Sequence, residues 1–133
     1  MKTILLTITF IFSSFLFSQE VSHLDEINPE GEFENISIKK LDSDSNSTSF
    51  VIWVKKAVKS HKHEFHSELI YVIDGEGLMN IAGKEFQIVK GDYFRIPENT
   101  YHALKVTSKE PIKVLSVQSP EFLGKDRVFE DEH

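Results

Sequence analysis

The chain has 133 residues, 40% hydrophobic and 27% charged, which fits one globular domain and excludes wholesale disorder. It contains no cysteine, so disulfides, thiolate zinc sites, iron–sulfur clusters and cysteine nucleophiles are excluded. Fifteen basic against 21 acidic residues give a net charge of -6, the wrong sign for a phosphate-backbone surface, and no nucleic-acid partner is expected.

In chain order, Lys2 precedes an apolar run from Ile4 to Phe17, followed by Ser18-Gln19-Glu20. The run has the length of a signal-peptide core and is short for a membrane span. Residues 1–18 are therefore expected to be a signal peptide cleaved near Ser18, giving an exported, periplasmic or extracellular protein with no membrane span after processing. Residues 19–47 read as an N-terminal arm and a first edge strand. Asn28-Pro29-Glu30-Gly31 is a turn, and Ile36-Ser37-Ile38-Lys39 alternates as a half-buried strand does. Ser49 to Val54 is β-branched and aromatic, a buried strand whose Trp53 belongs in the core or at a subunit interface.

Leu69 to Ile73 is a second apolar strand, ended by Asp74-Gly75-Glu76-Gly77, which reads as a hairpin turn. Residues 78–81 and 85–89 flank Ala82-Gly83-Lys84, a second hairpin. Lys90-Gly91-Asp92 turns into residues 93–96, and Pro97 blocks further ladder pairing. Residues 101–107 and 112–118 are the last strands, and residues 119–133 form an acidic C-terminal tail. Seven to eight short strands without a helical repeat indicate a single all-β domain, a sandwich or barrel.

Three histidines crowd into Ser60-His61-Lys62-His63-Glu64-Phe65-His66-Ser67-Glu68. On a strand His61 and His63 project to one face. Neutral imidazole binds transition-metal ions, and a carboxylate suits the harder of them. Glu68 shares a strand face with Ile70 and Val72, where a carboxylate is costly unless it is paired or metal-bound. His102 follows Pro97-Glu98-Asn99-Thr100-Tyr101, and Asn99 tolerates the left-handed backbone that would aim it inward. A polar, His-rich surface loop accounts for Lys62, Glu64 and Ser67 equally well. Leu69, Tyr71 and Ile73 occupy the opposite face of their strand and need cover from another sheet or another chain.

The stretch His61-x-His63-x4-Glu68-x6-Gly75 resembles the first motif of the cupin superfamily, and Gly91-x5-Pro97-x-Asn99-x2-His102 resembles its second. The resemblance spans roughly residues 48–118 and implies a single-domain cupin with a jelly-roll-like β-barrel. It departs from the pattern at Lys55, Asn99 and Val106, none of them a ligand position. By position it implies His61, His63, Glu68 and His102 as ligands of one divalent metal ion, drawn from Fe, Mn, Ni, Cu, Co or Zn. His66 matches no ligand and is placed behind the ligands or in solvent.

Such a site leaves coordination positions for a small-molecule ligand or substrate, for Lewis-acid chemistry or for oxygen activation. The resemblance thus implies a metal-dependent enzyme, dioxygenase-like or isomerase-like, on a small organic or sugar-type substrate. The alternative is a non-catalytic small-molecule or metal-binding module. Tyr71, Tyr93 and Tyr101 are candidates for the wall of the site or for its rim. Arg95 is a candidate for a substrate carboxylate or for a surface salt bridge. Cupins commonly pair sheet to sheet, which implies a homodimer. Val117 to Asp131 resembles the end of the cupin domain of bacterial mannose-6-phosphate isomerases, an ancestry signal that does not carry that activity. Acid is expected to release the ion as imidazoles compete for protons near pH ~6.

Overall fold

Alternating apolar and polar residues, broken by glycine-containing turns, lay out ten strands after a short 3-10 turn at Leu24–Glu26 in the computed structural model, which describes residues 21–130. The expected signal peptide, residues 1–18, lies outside the described residues. The strands are β1 (Ile36–Ser43), β2 (Thr48–Val54), β3 (Ala57–His63), β4 (Ser67–Asp74), β5 (Glu76–Ile81), β6 (Lys84–Val89), β7 (Tyr93–Ile96), β8 (His102–Val106), β9 (Ile112–Ser119) and β10 (Arg127–Phe129). They form two five-stranded sheets, ordered β1-β2-β9-β4-β7 and β10-β3-β8-β5-β6, with antiparallel pairing throughout. The all-β expectation holds.

The main core lies between the sheets. Val54, Ile70, Val72, Ile96, Ile112 and Val114 come from the first sheet, and Met79 and Ile88 from the second. Each fully buried side chain of this size contributes about 1.5–3 kcal/mol relative to exposure. On β4 the period-2 alternation turns Glu68, Ile70 and Val72 inward, and all three are buried.

A second cluster covers the outer face of the first sheet. Val51, Trp53 and Ile73 pack there beneath Leu24, Ile27 and Phe33 of the N-terminal arm. Lys113 fastens the arm, its Nζ donating to the carbonyls of Leu24 and Ile27 at 2.7 Å each. Trp53 is therefore core. Ile73, expected to need another sheet or chain, is covered by its own chain. Tyr71, on the same face, stays 41% exposed.

The hairpin expected at Asp74-Gly75-Glu76-Gly77 is not one. β4 pairs only with β7 and β9, and β5 only with β6 and β8, so the chain here crosses from one sheet to the other. Asp-Gly signals a positive φ, which Gly75 adopts at 82°, but not the partner of the next strand. A Cβ on Gly75 would lie 2.8 Å from the Ile112 Cα. Gly75→Ala should therefore cost more than about 2 kcal/mol, read as a lowered urea midpoint. The second hairpin does form: Ile81 pairs with Lys84 across Ala82 and Gly83, both at positive φ (51° and 80°), as a two-residue primed turn requires.

Candidate metal centre

β3 delivers His61 and His63 to the inner face of the second sheet, and His102, the first residue of β8, lies opposite His61 in the ladder. The turn before β8 is set by Asn99 at φ 54°, the left-handed geometry expected of it. Its N–H donates to the His63 carbonyl at 2.6 Å, and its side-chain oxygen accepts from Lys62 Nζ at 2.8 Å. Glu68 approaches from the facing sheet, in register with Gln118 of β9 and Ile96 of β7.

These elements bring the three imidazoles together. One ring nitrogen from each of His61, His63 and His102 lies within 4.8 Å of the others. All three rings are buried, at 3–4% exposure. His61 Nδ1–H donates to the Lys59 carbonyl at 2.8 Å, and His102 Nδ1–H to the Thr100 carbonyl at 3.0 Å. A carbonyl only accepts, so the proton of each neutral ring sits on Nδ1 and Nε2 keeps its lone pair for a metal ion.

Glu68 is adjacent but not fully within this group. Its Oε2 lies 3.6 Å from His102 Nε2, while Oε1 accepts from Ser116 Oγ and from Gln118 Nε2, the latter at 3.3 Å. The partner sought for this buried carboxylate is thus a hydroxyl, an amide and an imidazole edge, with one oxygen left facing the histidines.

The electrostatics favour neutral rings. Burial, then the neighbouring His102, pushes His61 down from 6.5 to about 4. Burial, then His66, pushes His63 down to about 3. Burial also lowers His102, and the Arg127 guanidinium adds to the lowering at both His61 and His102. Three neutral imidazoles, two of them with the ring proton turned away onto a backbone carbonyl, fit a divalent transition-metal ion by their donor chemistry.

Asp126 has no counterpart in the sequence reading. It is buried, and its Oδ2 accepts from His66 Nδ1 at 2.7 Å. Its Oδ1 lies 3.5 Å from His63 Nδ1, which has no hydrogen-bond partner, so the approach is electrostatic. His66 is 3% exposed and stacks on His63 with centroids 4.1 Å apart, so it stands behind the ligand candidates and not in solvent. Phe122 closes the edge of this pair, 5.7 Å from His66 and 6.4 Å from His63. His63, His66 and Asp126 make a second possible metal-binding group that shares His63. Only the three-histidine group opens onto the cavity: His61, His63 and His102 line it, and His66 and Asp126 do not.

That cavity, about 100 Å³, lies between the sheets, with Glu68 and Gln118 on its wall and Ile70, Met79 and Phe94 among its apolar lining. None of the candidate tyrosines lines it. Tyr71 and Tyr93 are exposed on the outer face, 41% and 65%, and Tyr101 lies under Lys62 Nζ at 5.3 Å. Arg95 is a surface residue that donates to Ser67 Oγ at 3.1 Å. The arginine at the cavity is Arg127. Asp126 and Arg127 escape sequence reading because nothing in an acidic tail marks one short strand for return to β3. Ser116 and Gln118 did leave a signal: they alternate with Val114 on the inward side of an apolar strand, the pattern that singled out Glu68.

Residues 49–118 match the family described as Cupin domain. An uncharacterized protein of Aquifex aeolicus is 30% identical over 116 residues, which cover 85% of this chain and 95% of that one. Quercetin 2,3-dioxygenase of Bacillus subtilis is 35% identical over 51 residues, 38% of this chain but only 15% of the enzyme. Among solved structures, a conserved protein with a double-stranded β-helix domain from Klebsiella pneumoniae superposes with a TM-score of 0.71 at 18% identity, over 84% of this chain and 97% of that one.

Proposed function

The chain belongs to the cupin domain family, and from that premise we propose that it is an exported protein that binds one divalent metal ion through His61, His63, His102 and Glu68 and acts as a metal-dependent enzyme on a small organic molecule. The observation that carries this reading is the convergence of three buried, neutral imidazoles, two with Nδ1 tied to backbone carbonyls, at the wall of an apolar cavity. A bound divalent ion supplies Lewis-acid polarisation of a substrate oxygen, and iron also supplies oxygen activation. The chain's own part is to hold the ligands preformed on strands, to exclude water with an apolar wall, and to keep one carboxylate oxygen of Glu68 beside His102.

Within enzymes, the cavity favours dioxygenase-like over isomerase-like chemistry. An isomerase needs a free acid or base for proton transfer. Apart from the four proposed ligands, the only charged residue in the lining is Arg127, which does not deprotonate. The same scarcity supports a second reading, a non-catalytic receptor for a small molecule. Two measurements decide: metal content of the purified protein, then oxygen consumption with a panel of phenols, enediols and small organic acids. About one ion per chain with oxygen uptake supports the enzyme. Stoichiometric metal and ligand binding without turnover supports the receptor. No metal after reconstitution with Fe, Mn, Ni, Cu, Co or Zn sinks the metal-dependent enzyme and leaves only a metal-free receptor.

Export rests on Lys2 and the apolar run from Ile4 to Phe17. Sequencing the N-terminus of exported protein should find a start near Gln19; an intact Met1 in a cytosolic form would remove the proposal. A homodimer is supported by the unclothed part of the first sheet, where Tyr71 pairs in register with Tyr93 and both are exposed. Light scattering at micromolar concentration should give twice the chain mass, and Tyr93→Glu should lower it. A monomer mass for the unaltered protein counts against pairing.

A further inference from the structure

The last strand adds a second pole to the cavity. In an antiparallel pair, residues directly opposite each other point to the same face. β10 places Arg127 opposite His63 and Phe129 opposite His61, so both lie on the inner face, and the Phe129 ring is 6.0 Å from that of His61. Among the described residues Arg127 forms no ion pair, because the adjacent carboxylate of Asp126 is turned to His66 and His63. Of the residues that line the cavity, only Ile36, Ile38 and Arg127 are exposed, which makes them its mouth. One lip is apolar and the other is a guanidinium with unused donors. Behind them, eleven of the remaining sixteen lining residues are apolar, so the interior takes a hydrocarbon body. At about 100 Å³ it is smaller than a benzene-binding cavity of ~150 Å³, so the body is a short chain or a single ring that reaches into the mouth.

We propose that the cavity binds small apolar monocarboxylates, with the carboxylate on Arg127 at the mouth and the apolar body between the sheets. A single negative charge fits better than a phosphate dianion. The lining offers one arginine and no lysine, and the Glu68 carboxylate faces the same space. Guanidinium presents paired N–H donors that match a carboxylate in a fork. This deepens the proposed function by naming its ligand class, and rests on that reading only for the claim that such a ligand is a substrate.

The test is calorimetric titration of the purified protein, metal-loaded and metal-free, with benzoate and with its neutral analogue benzamide. Arg127 is exposed, so Arg127→Gln should fold normally, which circular dichroism verifies. Wild type should prefer benzoate. Arg127→Gln should weaken benzoate by about tenfold, the scale of one charge-assisted contact, and leave benzamide affinity and metal stoichiometry unchanged. Arg127→Lys should fall between, having the charge without the fork. The proposal is overturned by equal affinities for benzoate and benzamide, by no benzoate binding to wild type, or by benzoate affinity unaffected in Arg127→Gln, which would place the carboxylate elsewhere. A protein that takes no metal defeats the metal-centre reading alone, because the metal-free titration still reports on Arg127.

Discussion

Replacing His61, His63 or His102 by alanine is expected to empty the metal centre, leaving far less than one divalent ion per chain after reconstitution. Each ring supplies one of three converging nitrogens, and the other polar groups on the cavity wall that could approach an ion, Glu68 and Gln118, offer only oxygen. An ion that binds only the folded state stabilises it by about 2.7 kcal/mol at a hundredfold excess over Kd. The three variants should lose that increment together with the metal, a fall of roughly 10 °C in Tm. Glu68→Gln keeps an oxygen to accept from Ser116 and should weaken binding without unfolding the two sheets. Asp126→Ala separates occupancy from affinity. Asp126 touches His63 and His66 and no other ligand candidate, so its loss should leave the site fillable at high metal but weaken it about 10- to 100-fold, the usual effect of removing a group that orients a ligand. His66→Ala should do less. If His66→Ala empties the protein while His61→Ala does not, the ion sits in the group formed by His63, His66 and Asp126.

The fold was largely legible because its strands carry their own signals. The β-branched run at β2, the alternation on β4 and the Ala82-Gly83 turn each state their conformation locally. Two features were not local. Residues 57–60 lack the apolar alternation of a strand, and β3 exists there because β8 pairs with Ala57 and Val58, while β10 joins it only at residues 61–63. The Asp74-Gly75 turn announces a corner but not which sheet follows. At the site, the His61-x-His63 step and Glu68 were readable because a period of two fixes which side chains meet, and because a carboxylate among Ile70 and Val72 demands a partner. Asp126, Arg127 and the burial of His66 depend on a tail segment that returns across some sixty residues of chain, and nothing in its composition says where it lands. Arg95, weighed from sequence as a carboxylate binder or a surface residue, sits on a strand whose alternation turns it outward, as the surface reading has it, and the cavity's arginine comes from the part of the chain with the least pattern.

Acidification should unfold the metal-free protein well before ordinary carboxylates titrate. His61 and His63 are held neutral in the folded state, their protonation pushed from 6.5 to about 4 and about 3 by burial. In the unfolded chain both protonate near 6.5. Above that pH neither state takes up protons at these rings, and they contribute no slope. Below it the unfolded chain binds protons that the folded chain refuses, so stability falls with pH, by roughly 1.4 kcal/mol per pH unit for each such histidine, until the folded rings themselves titrate. Two rings over two pH units are enough to consume much of the ~5–15 kcal/mol that a domain of this size possesses. Asp44, whose carboxyl the backbone N–H groups of Asn46 and Ser47 hold below 3.8, titrates beneath this window and does not share it. The check is the urea midpoint of chelator-treated protein between about pH 7.5 and 4.5: it should fall steeply from pH ~6.5 downward, and less steeply in His63→Ala. A flat midpoint would mean that the rings are not buried as neutral species. With metal bound, the same depression protects the site. Protons must compete at rings that titrate far below 6.5, so release should come well under the pH ~6 that ordinary imidazoles imply, and coincide with unfolding instead of preceding it.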